Sequence, residues 1–187
     1  DVVAARYLRL AGDQARQAYA QEQARDYYRR GLELTDQPDL RYALLSGLET
    51  VYDTTSRREE QHAVLAELAT LAENGPASQK IEVALRQAHY AEATSNYAAA
   101  ASAAERAVTL AEATGDTLLA ADGYRRWGYA LRRQEHLPAA RALYEKARAA
   151  AERAGAKAVL SDSLQGLANV AWNQGDYAAA QVYLEQS

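Results

Sequence analysis

The sequence predicts an all-α protein, a right-handed α-solenoid (alpha-alpha superhelix) of about five stacked helix pairs. Three observations predict it. One position, small in four copies of five, recurs at Ala24, Gln61, Ala100, Ala140 and Ala180, in steps of 37, 39, 40 and 40 residues. Two further series keep the same steps: Gly12, Glu49, Ala88, Gly128 and Ala168 upstream, and Tyr28, Leu65, Ala104, Tyr144 and Leu184 downstream. Inside each copy the apolar residues follow the helical period.

The elements follow in order. The five units span residues 1–35, 37–74, 76–114, 116–154 and 156–187. "TDQPD", "ENGP", "TGD" and "AGA" separate the units, while "TTS", "TSN", "RQEH" and "NQGD" separate the two helices inside them. In the fourth unit Tyr124, Trp127, Gly128 and Leu131 form one helical stripe, and Leu137, Ala140, Leu143, Tyr144 and Ala147 form the next. Pro38 and Pro76 stand at helix starts, where the missing N–H costs nothing, and Pro138 falls within the first turn of its helix. Small residues are expected to face one another inside each pair: Gly12 with Ala24, Gly128 with Ala140, Ala168 with Ala180. The larger residue one turn on, Tyr144 or Leu184, is expected to plug the gap toward the next unit. The second unit places Glu49 and Gln61 where small residues belong, so its seam is expected to be looser or polar.

Composition bounds the function. A net charge of −4 over 187 residues argues against a general nucleic-acid surface. The absence of Cys removes thiol catalysis, disulfides and thiolate metal sites. No apolar run approaches the ~20 residues needed to span a bilayer, and no signal peptide opens the chain, so a cytoplasmic location is expected. With no Met, the sequence reads as part of a larger protein. No P-loop, GxSxG or HExxH occurs, and no catalytic residue, cofactor or metal is expected.

Trp127, Gly128, Leu131, Ala140, Tyr144 and Ala147, with Leu164, Leu167, Ala168, Ala180 and Leu184 and with Leu8, Gly12, Ala24, Tyr28 and Gly31, resemble the tetratricopeptide repeat (TPR) family. The units are longer than the roughly 34 residues of that family's repeat. The stretches "RYLRLAGDQARQAYAQEQARDYYRRGLEL" and "SRREEQHAVLAELATLAE" also look like the TPR arrays of bacterial ATPase-linked regulators, MalT-like activators among them. The resemblance implies a non-catalytic module that holds a protein or peptide in a concave groove lined by the first helix of each pair, within a larger signalling regulator. Sensing of a small molecule, as the MalT-like likeness implies, and a role as spacer or self-association arm pairing near Leu184, are the alternatives.

Helix phase selects the residues that project into such a groove. The first unit offers Arg6, Arg9, Asp13 and Arg16; the second offers Ser46, Thr50 and Asp53; the third offers Glu82, Leu85, His89 and Glu92; the fourth offers Arg125, Tyr129, Arg132 and Arg133; the fifth offers Asp162, Gln165, Asn169, Trp172 and Asn173. Guanidinium groups beside a Tyr suit a carboxylate or phosphate. Asn169 and Asn173, one turn apart, offer donors and acceptors to an extended backbone, and the resemblance implies the same use of Asn and basic residues. Trp172 would add an apolar anchor. The competing reading makes the arginines solvated charges and packs Trp172 against a neighbouring helix. His89 and Glu92, three apart, supply too few ligands for a metal site.

Overall fold

A computed structural model describes residues 1–187 as ten α-helices without strands. The chain divides into two compact units, Asp1–Gly75 and Pro76–Ser187, and the division falls inside the "ENGP" separator. The first unit holds α1 (Val2–Gln17), α2 (Gln21–Leu32), α3 (Pro38–Thr54) and α4 (Arg58–Glu73). The second holds α5 (Ala77–Ala93), α6 (Tyr97–Thr114), α7 (Thr117–Arg133), α8 (Leu137–Ala154), α9 (Lys157–Asn173) and α10 (Tyr177–Gln186). No helix is long and apolar enough to cross a membrane.

Local chemistry sets the boundaries. Asp1, Asn96, Asp116 and Asp176 cap α1, α6, α7 and α10, each side chain accepting from a backbone N–H of the first turn. Gly115 and Gly155 end α6 and α8 in the left-handed conformation. The turn inside every pair also needs one left-handed residue, and it is Tyr19, Ser56, Ser95, Glu135 or Gly175 in turn. These five positions repeat the 37-, 39-, 40- and 40-residue steps of the sequence. Four of them are not glycine and carry the backbone strain of that region.

In the second unit α5, α7 and α9 lie side by side, each packed on its own partner α6, α8 or α10, and α7 and α9 also pack on the second helix of the preceding pair. The core between them is rich in alanine: Ile81, Ala84, Leu85, Ala107, Val108, Ala111, Ala120, Tyr124, Leu143 and Ala147 form one cluster. Small side chains let the helices approach closely, and each buried methyl adds to the area removed from water.

The seams correct the sequence reading in one respect. Gly128 does not present its open side chiefly to Ala140; its nearest neighbours are ring atoms of Tyr144, at 3.2–3.3 Å from where a Cβ would lie. A Cβ on Gly166 of α9 would overlap the same ring. The Tyr144 ring is therefore wedged between glycines of α7 and α9, and only 2% of the residue is exposed. The first unit repeats this arrangement. A Cβ on Gly12 or on Gly47 would lie 2.6 or 2.5 Å from the Tyr28 ring, and Tyr28 is fully buried. The small residues serve the tyrosine on the second helix, which does plug the gap toward the next pair.

The seam between α3 and α4 is polar, as Glu49 and Gln61 foreshadow. Gln61 is fully buried and its amide donates to Glu49 at 2.8 Å and to Asp53 at 3.2 Å. Arg58 donates to Asp53 at 2.7 Å and to the Gln61 carbonyl oxygen at 2.5 Å. The buried amide is thus paired on both sides, which avoids the ~1–3 kcal/mol cost of an orphaned polar group.

Candidate functional site

The candidates of the third, fourth and fifth repeats lie in the second unit, and all but Leu85 and Trp172 lie on the face of the α5–α7–α9 layer turned away from the alanine core. The helices present them by simple periodicity: positions four residues apart, such as Arg125, Tyr129 and Arg133, stack along one side of α7. Leu85 does not belong to this set. It is 7% exposed and part of the core, one step off the expected phase.

The centre of this face is a chain of alternating charges. Arg126 of α7 donates to Glu92 of α5 at 3.1 Å and to Asp122 one turn earlier at 3.0 Å. Arg125 donates to the other side of the same residue, at 2.6 Å, and lies 3.7 Å from Asp162 of α9. Glu92, Asp122, Arg125 and Arg126 are 13–25% exposed at the side chain, so these pairs are held largely out of water. Burial alone raises the Asp122 carboxyl, but Arg126 and Arg125 more than offset that and hold it below the usual carboxylate range. Burial likewise works against the Arg125 cation, and Asp122 overcomes it.

His89 is half-buried beside this chain. Its Nδ1 lies 3.2 Å from Arg126 Nη1 and 3.7 Å from Glu92. A guanidinium thus stands where a metal cation held by His89 and Glu92 would have to be.

Arg132 and Arg133, at the C-terminal end of α7, are placed differently. Arg133 lies 4.5 Å above the ring of Tyr97, the first residue of α6, and donates to the Tyr129 hydroxyl at 3.1 Å. Arg132 lies 5.3 Å from the Tyr129 ring centre. Tyr97 and Tyr129 meet edge to face at 6.4 Å. The two cations are thus held against aromatic rings rather than carboxylates, a stacking suited to guanidinium. Their position in the last helical turn also complements the helix dipole.

On α9 Gln165, Asn169 and Asn173 are exposed on the corresponding face, and Arg125 with Asp162 provides the ionic link from α7 to α9. Trp172 is 62% exposed and packs edge to face on Tyr177, the first residue of α10, at 4.9 Å. It neither sinks into a neighbouring helix nor joins the arginines; it stands on the turn between α9 and α10.

Sequence reasoning missed Asp122, Arg126 and Tyr97. The signal for the first two was present: Asp122 precedes Arg125 by three residues and Arg126 by four, the spacings at which side chains meet on a helix. Tyr97 reaches the site from the second helix of the preceding pair, which helix phase alone does not reveal.

No family model matches this chain, and no curated protein matches it. Solved structures do. BtubC (BKLC) from P. vanneervenii superposes with a TM-score of 0.81 at 18% identity, over 94% of this chain and 74% of that one. A Rap protein complexed with Competence and Sporulation Factor gives 0.81 at 13% identity, over 99% of this chain and 53% of that one. The nearly identical TPR-like repeats of a Podosopora anserina kinesin light chain give 0.75 at 15% identity, over 97% and 92%. The chain spans about half the length of the Rap protein. At these identities the likeness establishes the fold, an all-α TPR-like solenoid.

Proposed function

We propose that this chain is a non-catalytic binding module that holds a protein or peptide segment on the face of α5, α7 and α9. The observation that carries the reading is the contrast along that face. Arg125 and Arg126 are spent on Glu92, Asp122 and Asp162, whereas Arg132 and Arg133 stack on Tyr129 and Tyr97 without a carboxylate. Beside them Gln165, Asn169 and Asn173 offer exposed amides. Helices fix such groups at set spacings, so binding costs little ordering of the receptor. A Rap protein of the same fold, solved with Competence and Sporulation Factor, supports a binding role. We place the module in a cytoplasmic bacterial signalling regulator, on the sequence resemblance to ATPase-linked and MalT-like arrays.

A second reading, self-association, rests on Leu184. The equivalent residues Tyr28, Leu65, Ala104 and Tyr144 are 0–3% exposed, whereas Leu184 is 52% exposed. Light scattering separates the two. A concentration-dependent dimer lost in Leu184→Asp favours assembly; a monomer at all concentrations removes it.

Peptide selection tests the principal reading. A random displayed-peptide library is panned against the chain, and the enriched peptides are measured by calorimetry against Asn169→Ala/Asn173→Ala and, as a control, Arg141→Ala on α8. The binding-face variant should lose tenfold or more in affinity and the control nothing. Equal affinity for both variants refutes the reading.

A further inference from the structure

Arg41 fills the junction between α2, α3 and α4. Its guanidinium donates to the carbonyls of Leu32 and Thr35 at 3.3 and 3.1 Å and to Glu67 of α4 at 2.5 Å, and Asp36 lies 3.9 Å away. One cation is thus held between the C-terminal end of α2, the turn that follows it and α4. Arg41 stands eight residues before the repeat position of Glu49. Eight residues before the equivalent Gly128 stands Ala120, and eight before Ala168 stands Leu160. Leu160 packs against Ala121, Ala150 and Ala151. Ala120 offers only a methyl group, and the junction of α6, α7 and α8 holds a cavity of about 250 Å³.

Ala111, Ala120 and Tyr124 form the buried floor of this cavity, and Glu112, Asp116 and Arg153 its polar rim. Glu112 holds the repeat position of Asp36, twelve residues after the anchors Ala100 and Ala24. The cavity therefore keeps an acid where the first unit has one beside Arg41, and lacks the cation between them. The Glu112 carboxylate accepts from the Tyr124 hydroxyl through one oxygen, which leaves the other for a second donor. Burial, then this bond, pushes the Tyr124 phenol up to about 12, so the hydroxyl stays a donor and the charge stays on Glu112. One Asp116 oxygen caps α7 by accepting from the Leu119 N–H at 3.0 Å. Arg153 supplies the cation of the lining. Lys146, which stands where the first unit has Glu67, lies outside the lining, 5.3 Å from the centre of the Tyr124 ring.

We infer that this cavity binds an amino acid with a guanidinium side chain, the guanidinium taking beside Glu112 the place that Arg41 fills in the first unit, and the carboxylate pairing with Arg153. The charges match. The lining carries two carboxylates against one guanidinium, and arginine carries two cations against one carboxylate. The apolar floor suits the methylene stem of such a ligand. The volume falls just below the ~300–1,000 Å³ of pockets for larger ligands, as a molecule of amino-acid size requires. The cavity lies where the first- and second-helix layers meet, apart from the outward face of α5, α7 and α9, so it goes beyond the binding role proposed above and does not depend on it.

The test titrates the full chain with L-arginine, citrulline and N-acetyl-arginine amide while nuclear magnetic resonance follows the Gly115 amide and the Ala120 methyl. L-arginine should shift both saturably. Citrulline has the same shape without the side-chain charge and should bind at least about tenfold more weakly. N-acetyl-arginine amide lacks the carboxylate and should bind several-fold more weakly than L-arginine, a difference that Arg153→Ala should erase. Ala120→Arg, which places the first unit's guanidinium in the space, should abolish binding. Glu112→Gln, which keeps the shape and the acceptor for Tyr124, should weaken it as the loss of charge in citrulline does. The site is overturned if L-arginine produces no saturable shift, if citrulline or the blocked arginine binds equally well, or if Ala120→Arg binds as the parent chain does. Saturable shifts centred on Asn169 and Asn173 instead also overturn it, and leave the binding face standing.

Discussion

Arg126 of α7 meets Glu92 of α5 at 3.1 Å, with both side chains mostly out of water. The contact joins the first helices of two successive pairs, and Asp122 completes it from within α7 at 3.0 Å. Removing one partner strands a partly buried charge, which costs more than removing both. Arg126→Gln should therefore destabilise the chain by about 1–3 kcal/mol. Glu92→Gln with Arg126→Gln should cost clearly less than the sum of the single changes. Urea unfolding of the double-mutant cycle measures this, and strict additivity would show that the pair is not coupled.

Gly166→Ala forces a methyl group into the Tyr144 ring. Overpacking of this kind costs about 1–3 kcal/mol. Adding Tyr144→Ala should remove the clash, so Gly166→Ala becomes nearly neutral in that background. By contrast Gly115, whose Cβ would meet nothing within 4 Å, is called for by its φ of +73° alone. Thermal unfolding of the parent chain, Gly166→Ala, Tyr144→Ala and the double variant checks the coupling.

The left-handed turn residues offer a gain. Glu135 is exposed and holds a φ of 64°. Glycine adopts that conformation freely, so Glu135→Gly should raise stability by about 0.5–1 kcal/mol, after its larger unfolded-state entropy is counted. Gly175→Ala, at a φ of 80° in the equivalent turn, should lower it by a similar amount. Unchanged midpoints in both would show that these turns relax without strain.

Two titrations contribute to the pH window, alongside the raised phenols of Tyr124 and Tyr144. Asp122 has a depressed folded pKa, so its contribution is present above the ordinary carboxylate pKa and is lost as pH falls through the folded value. Burial, then the bond to Asp13, pushes Tyr28 up to about 12. Its contribution is full below the unfolded phenol pKa of about 10 and is lost as pH rises toward the folded value. Stability should therefore fall on both flanks. Asp122→Asn should flatten the acid limb and Tyr28→Phe the alkaline limb, measured by urea midpoints across pH. Unchanged limbs would assign the losses to other groups.

The helix pairs were legible because Gly12, Gly128 and their companions recur in step with an apolar helical period, and both signals are local. The polar seam was legible for the same reason, since Glu49 and Gln61 fall at positions the repeat otherwise fills with small residues. The ionic chain was not. Glu92 and Arg126 are 34 residues apart and meet only because α5 and α7 lie side by side. Leu85 was misassigned because helix phase fixes direction only to within one neighbouring residue, and the core extends that far. Tyr144 shows a deeper limit: its place on a second helix suggested packing alone, and the wedging of its ring between Gly128 and Gly166 depends on how α7 and α9 meet.

Chemical-shift mapping with a selected peptide tests most directly whether the first-helix layer of the second unit is the binding surface. The expected result is a set of perturbations centred on Arg133, Asn169 and Asn173, with His89 at its margin. Perturbations centred instead on the opposite layer, at Ser102, Arg106 or Arg141, would contradict it.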